Sequence, residues 1–207
     1  MSDRGFLAIF SDVAPDVETD YLHWLTREHT HERVATAGFV GARVFRALDV
    51  DARRYLILYD LASPGVLGGD DYLRKLDAPS AWSRRIMPQL QRFIRGGGRV
   101  AASAGAGQGA VLAVVDYAEA GDAPDAEGLR TLVAIDRVVA AHVLATDEAK
   151  TSIRTREKAM RTGDATFAAL LVIEATDREA ARAAAASVGR PAALFQQAYA
   201  LPPTATR

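Results

Sequence analysis

Val40-Gly41-Ala42-Arg43-Val44-Phe45 in the first half of the chain and Val139-Ala140-Ala141-His142-Val143-Leu144 in the second read alike. Each leads out of a helix signal into a β-rich run, and their common place in the order of elements points to an internal duplication. Working outward, residues 6–10, 55–59, 111–115 and 167–173 form apolar runs. They are too short, and too rich in β-branched or aromatic residues, to be helices. Residues 39–48, 99–103, 138–146 and 194–201 add weaker strands. Helix signals lie between them. Asp16 can cap a segment reaching about Thr36, in which Val17, Tyr21, Trp24, Leu25 and Val34 recur at helical spacing. Ser63-Pro64 opens a second segment toward Asp77, and Pro124 a third through Ala134. Thr176-Asp177-Arg178-Glu179 has capping-box spacing before an alanine-rich stretch that Gly189 and Pro191 stop.

The order strand, helix, strand, strand, helix, strand therefore occurs twice. Glycine-rich stretches at residues 96–98 and 104–109 place the seam near 105, giving repeats 1–104 and 105–207, the first carrying the site and the second a scaffold. Each repeat predicts a ferredoxin-like βαββαβ unit of α+β class: an antiparallel sheet with two helices on one face. A sheet with a wet second face would alternate, yet the first and third strands of both halves are apolar throughout. Covering those faces at about 25 cal/mol per Å² favours tandem repeats closed into one intramolecular eight-stranded α/β barrel, with helices outside and a chamber furnished by the first half.

The 207 residues carry 25 Lys and Arg against 26 Asp and Glu, a net charge of −1, with no cysteine. Balanced charge gives no electrostatic reason for a nucleic-acid or anionic-membrane partner. Without cysteine there is no disulfide, thiolate metal site, iron–sulfur cluster or cysteine nucleophile. No apolar stretch approaches the roughly 20 residues that span a bilayer, and no apolar signal core follows Met1. The expectation is a cytoplasmic protein whose partner is a small molecule. A homodimer is also expected, resting on Ala- and Leu-rich helices in the second half.

His23, His29, His31, Trp24 and Trp82 all fall in the first half, and only His142 in the second. On a regular helix Leu25, His29, Glu32 and Arg33 share a side, so Glu32 can orient His29 and raise its basicity. That makes His29 a candidate general base, set against simple capping of the helix end by His and Arg. No pair of histidines has the spacing of a helical zinc site, so no metal is expected. Five arginines and no acidic residue lie between Ala78 and Val115. Among them Arg85, beside Trp82, is a candidate for holding an anionic oxygen, set against pairing with a neighbouring helix. Gly105 to Gly109 precedes a strand, not a helix, and reads as a linker. Arg154, Arg156, Glu157, Lys158 and Arg161 read as a solvated helix or hairpin.

Trp24, Glu28-His29, Glu32-Arg33 and Gly38-Phe39 are followed by Arg54-Tyr55-Leu56, Tyr59-Asp60-Leu61, Val66-Leu67 and Tyr72-Leu73. Pro79-Ser80 and Trp82-Ser83-Arg84-Arg85 complete the series. Over residues 5–103 this order resembles bacterial proteins akin to the ethyl tert-butyl ether degradation protein D (EthD-like) family, in the dimeric α/β-barrel superfamily. The resemblance implies a cavity for a small, often aromatic molecule and an accompanying role in catabolism. It also implies a pocket position for the first-helix histidine, matched here by His29. Superfamily members include cofactor-independent monooxygenases, cyclases, isomerases, haem proteins and accessory proteins. The leading expectation is a small-molecule enzyme, without a cofactor, doing acid/base chemistry of lyase, isomerase, cyclase or monooxygenase type on a phenolic or carbonyl-bearing metabolite. His29 moves a proton, Glu32 orients it, Arg43 or Arg85 binds an anionic oxygen, and Trp24, Tyr59 and Trp82 wall the pocket. The alternatives are a non-catalytic binding or accessory protein, and a haem protein with His29 or His142 as axial ligand.

Overall fold

A computed structural model describes residues 3–48, 54–161 and 164–202. Its eight strands are β1 (Gly5–Asp12), β2 (Phe39–Ala47), β3 (Tyr55–Leu61), β4 (Gln91–Gly105), β5 (Val111–Tyr117), β6 (Val138–Thr146), β7 (Ala169–Ala175) and β8 (Ala193–Leu201). They pair antiparallel in the order β1-β3-β2-β8-β5-β7-β6-β4, and β4 closes the barrel on β1. Within each half the strand order is the same: β2-β3-β1-β4 and β6-β7-β5-β8. The halves join at β2·β8 and β4·β6.

Most strands lie where the apolar runs put them, but β4 is 15 residues long against an expected five. It pairs with β1 over Gln91–Arg99 and with β6 from Gly98 onward, so the glycine triplet is strand, not linker. Its glycines are there for space: a Cβ on Gly96 would sit 2.4 Å from the ring of Phe167.

Outside the strands lie α1 (Glu18–Trp24), a π-helical turn (Leu25–His29) and α2 (Thr30–Val34), which run on from one another, then α3 (Asp70–Asp77) and α4 (Ala81–Ile86). The second half adds α5 (Ala126–Val133), α6 (Glu148–Thr151), α7 (Arg156–Ala159) and α8 (Arg178–Val188). Asp125 and Asp177 cap α5 and α8 by accepting backbone N–H bonds, and Gly189 ends α8 at φ +67°, a left-handed stop. The first helix begins without a side-chain cap, at Val17 rather than Asp16.

Alternation along the strands sorts the core. Phe6, Ala8 and Phe10 of β1 point into the barrel, while Leu7 and Ile9 point out at the helices. One end of the barrel interior is filled, where Phe167 lies 6.4 Å from Phe6 and 6.2 Å from Phe10, and Phe10 lies 5.9 Å from Phe195, while the other end opens as a mouth of about 380 Å³. The expected chamber is therefore confined to that mouth, which Phe6, Leu58, Arg43, His142 and Glu174 line from both halves. In the second half Ala180, Ala181 and Ala184 bring α8 down onto the sheet and pack the outer face with apolar side chains. Those alanines, with Leu129 and Leu132, are buried, and Val40 is the one exposed large hydrophobic among the described residues. The larger apolar side chains on which a homodimer was expected thus face the sheet, while Ala183 and Ala186 of α8 stay exposed. Among the described residues no helix is long and apolar enough to cross a membrane.

Candidate functional site

In α1, Tyr21, Trp24 and Leu25 face the sheet. Continued at α-helical spacing, that face would next bring in Glu28 and Glu32 alongside His29. The π turn prevents it. The Thr30 N–H donates to the Leu25 carbonyl five residues back, and Thr30 Oγ donates to the same oxygen at 2.7 Å. One extra residue per turn rotates the helix beyond it, so His29 and Arg33 go in, at 2% and 3% exposure, and the glutamates go out. Glu28 accepts from Ser80 Oγ at 2.5 Å. Glu32 lies on an outer cleft with Lys75, whose ammonium donates to the Glu32 carbonyl. The structure therefore does not bring Glu32 to His29, because the expected shared face assumed a regular helix.

His29 and Arg33 line a closed cavity of about 20 Å³ between the helices and the outer face of β1 and β3. Trp24 and Tyr59 line it too. The His29 ring lies 4.1 Å from Trp24, and the Trp24 indole N–H donates to Ser83 Oγ at 3.1 Å, fixing the ring pair. Three buried polar atoms of residues lining this cavity have no partner among the described residues: His29 Nδ1, Arg33 Nη1 and Tyr59 Oη. Such orphans are uncommon in interiors and cost about 1–3 kcal/mol each, so three on one cavity call for a guest that satisfies them.

Burial drives His29 well below the ordinary histidine value, and the positive Arg33 and Arg161 push it further the same way. The imidazole is neutral and holds a free lone pair or a free N–H. Burial raises the Tyr59 hydroxyl, so it stays a neutral phenol able to donate. Burial is the largest influence on Arg33 and disfavours its charge, but Glu157, Tyr72 and Tyr59 together outweigh it and the guanidinium is held ionised. Arg33 and Glu157 form a hydrogen-bonded ion pair with side chains 3% and 8% exposed.

Glu157, Lys158 and Arg161 close the cavity from the second half. The segment expected to be solvated is thus a wall of the site. Arg161, its side chain 3% exposed, lies 3.8 Å over the Phe93 ring and pairs with Asp164 at 3.1 Å. A sign of this was available: β6 and β7 are joined by a far longer connection than β2 and β3, an asymmetry the duplicated fold does not need.

The other expected residues are placed elsewhere. Arg43 lies inside the barrel, where its two Nη atoms donate to both Glu174 carboxylate oxygens at 2.8 and 2.9 Å. Arg85 and Trp82 both donate to Asp20 on the outer side of α1, and Arg85 is exposed. The alternative of pairing with a neighbouring helix is what the geometry shows for Arg85.

A haem does not fit at His29. A cavity of about 20 Å³ holds little more than a water, and Trp24 covers the His29 ring. His142 bonds Ser103 Oγ at 2.9 Å in the barrel mouth, whose walls combine apolar Phe6, Leu58, Val100 and Val172 with charged Arg43, Asp60 and Glu174. Among the described residues no group of three His, Asp or Glu is placed to hold a metal.

Comparisons with solved structures give the same fold, mixed α/β layers around a closed eight-stranded antiparallel barrel. An anthrone oxidase-like protein superposes with TM-score 0.54 at 16% identity, over 97% of this chain and 93% of its own. A candidate monooxygenase from Fusobacterium nucleatum gives 0.56 at 12% identity, over 98% and 96%. A mutant chlorite dismutase from Candidatus Nitrospira defluvii gives 0.51 at 9%, over 96% and 93%. No family model matches the sequence, and no curated protein matches it significantly.

Proposed function

We propose that the chain is a small-molecule enzyme that needs no cofactor and uses the cavity under α1 and α2 for acid/base chemistry on a phenolic or carbonyl-bearing compound. The observation that carries this is the convergence of a neutral imidazole, a cationic guanidinium and a neutral phenol, each with a polar atom unpartnered among the described residues, on one small cavity. The anionic oxygen forming on the guest offsets the Arg33 and Arg161 charges that disfavour a proton on His29, so the imidazole then takes one from a phenolic O–H or from a carbon next to a carbonyl. Arg33 and Tyr59 hold the resulting anionic oxygen, with the charge of Arg161 in support. Glu157 keeps Arg33 in place, and Trp24 keeps the imidazole oriented. Arg43, Arg85, Trp82 and Glu32 have no part in this chemistry.

The cavity has room for a water, so an aromatic guest enters when the α7 wall and the Arg161 side chain give way toward the larger cleft beside them. The name of one structural neighbour, an anthrone oxidase-like protein, agrees with an aromatic substrate. The order of motifs over residues 5–103 favours the EthD-like branch. The matching strand orders favour duplication of a ferredoxin-like unit, as repeats 1–104 and 105–207.

The test is solvent-deuterium exchange, followed by NMR, on a panel of phenols and phenolic ketones, with oxygen uptake recorded in parallel. Wild type should exchange or consume at least one member, and His29→Gln should lose that while still binding it. Binding equal in both proteins with no turnover in either would make this a binding protein instead.

A further inference from the structure

Beside the closed cavity, and sharing Arg95, Lys158 and Arg161 with it, lies an open cleft of about 430 Å³. Its charged lining is four cations, Arg95, Arg154, Lys158 and Arg161, against two carboxylates, Glu148 and Asp164. The pairing is more uneven than the count. Arg161 takes Asp164 for itself. Arg95 is 5% exposed, yet among the described residues no carboxylate lies against it. Its guanidinium donates to the Thr151 carbonyl and the Tyr72 hydroxyl, each at 3.2 Å. Lys158 likewise donates to two carbonyls, those of Thr151 and Ile153, at 2.5 Å. Arg154 is exposed at the cleft and makes no ion pair among the described residues. A buried guanidinium is ordinarily accompanied by an anion, because dipoles alone offset its desolvation poorly.

We propose that this cleft is an oxyanion site, anchored by Arg95 and completed by Lys158 and Arg154, which holds a carboxylate or phosphate carried by the compound whose reacting end enters the His29 cavity. The inference rests on the function proposed above for the second half of that sentence, and on the cleft alone for the first. It narrows the substrate to acidic phenols or acidic carbonyl compounds. The planar fork of Arg95 suits a two-oxygen anion, and Lys158 adds a point charge where cavity and cleft meet.

Two measurements decide it. The first uses inorganic phosphate alone. At matched ionic strength, phosphate should raise the thermal midpoint of the full-length protein above its value in chloride, and Arg154→Glu should abolish the difference. Arg154 is at the surface, so this variant leaves folding intact where loss of Arg95 endangers it. No phosphate-specific rise, or one that persists in Arg154→Glu, overturns the oxyanion site whether or not phenols bind. The second is calorimetric titration with para-hydroxyphenylpropanoate, its methyl ester, and para-hydroxyphenethyl phosphate. The free acid or the phosphate should bind at least about tenfold tighter than the ester, and whichever is tighter names the group. Arg154→Glu should reduce that preference. Equal affinity of acid, phosphate and ester overturns the proposal while leaving the cavity reading standing. Failure of all three to bind, with the phosphate effect retained, supports the oxyanion site and removes the phenolic cavity instead.

Discussion

Glu157→Gln keeps the size and one hydrogen bond of the native side chain and removes its charge, stranding Arg33 under the helices. With side chains only 3% and 8% exposed, water screens this pair little, and the discount that applies to surface pairs does not apply. Removing one partner of a buried pair typically costs about 3–5 kcal/mol, because the survivor is left buried and uncompensated. The 5.8 Å contact of Arg33 with the Tyr72 ring recovers little of this. For a chain of this size each kcal/mol moves the thermal midpoint by about 2–4 °C, so the variant should melt roughly 6–20 °C lower. The assay is urea and thermal unfolding of wild type, Glu157→Gln, Arg33→Met and the double variant. Because Arg33→Met also removes the stranded charge, the double variant should recover much of the loss. A loss below about 1 kcal/mol for Glu157→Gln, or a double variant less stable than either single, would show that α7 is not docked on Arg33.

Other outcomes follow from the same contacts. As pH falls through the ordinary histidine value of 6.5, the unfolded chain takes a proton that buried His29 refuses. The unfolded state then binds more protons, so stability declines on the acid side. His29→Gln should flatten that acid limb relative to wild type, measured by urea unfolding between pH 4.5 and 7 or thereabouts; an unchanged limb would mean an imidazole open to water. Burial, with Arg95 and Arg161 adding to it, lowers Lys158 to about 8, against smaller opposing pulls from Asp164 and Glu157. Affinity of the cleft for phosphate should accordingly weaken as pH rises past 8, and Lys158→Met should remove that dependence. Gly96→Ala should destabilise by about 1–3 kcal/mol in urea unfolding, since the new methyl meets the Phe167 ring, and Phe167→Leu should relieve part of it.

The barrel was legible in the sequence because its evidence is repeated. Runs such as residues 55–59 and 111–115 are apolar on both faces, and both halves carry the same element order, so local pattern and closure point one way. The length of β4 was not legible, since Gly96, Gly97 and Gly98 look like a breaker unless the approach of Phe167 is known. The site was half legible. His29, Trp24 and Tyr59 do line one cavity. Glu32 was placed by counting 3.6 residues per turn through a stretch that contains a π turn, and nothing in Leu25 to His29 announces that change of phase. Arg43 carries no mark in sequence that distinguishes a ligand-binding arginine from one satisfied by Glu174, 131 residues away. Arg33 and Glu157, 124 residues apart, become a site only when the barrel closes. Arg161 and Lys158 looked solvated for the same reason: their burial is made by the other half of the chain.

A crystal structure of the protein soaked with para-hydroxyphenylpropanoate bears most directly on where this chain works. The aromatic ring should lie between Trp24 and Tyr59 with its hydroxyl oxygen within hydrogen-bond reach of His29 Nδ1 or Arg33 Nη1, outside the strands and beneath α2. Density for the ring in the barrel mouth beside Arg43 and His142, or on the outer side of α1 against Trp82 and Arg85, would contradict the assignment of the cavity.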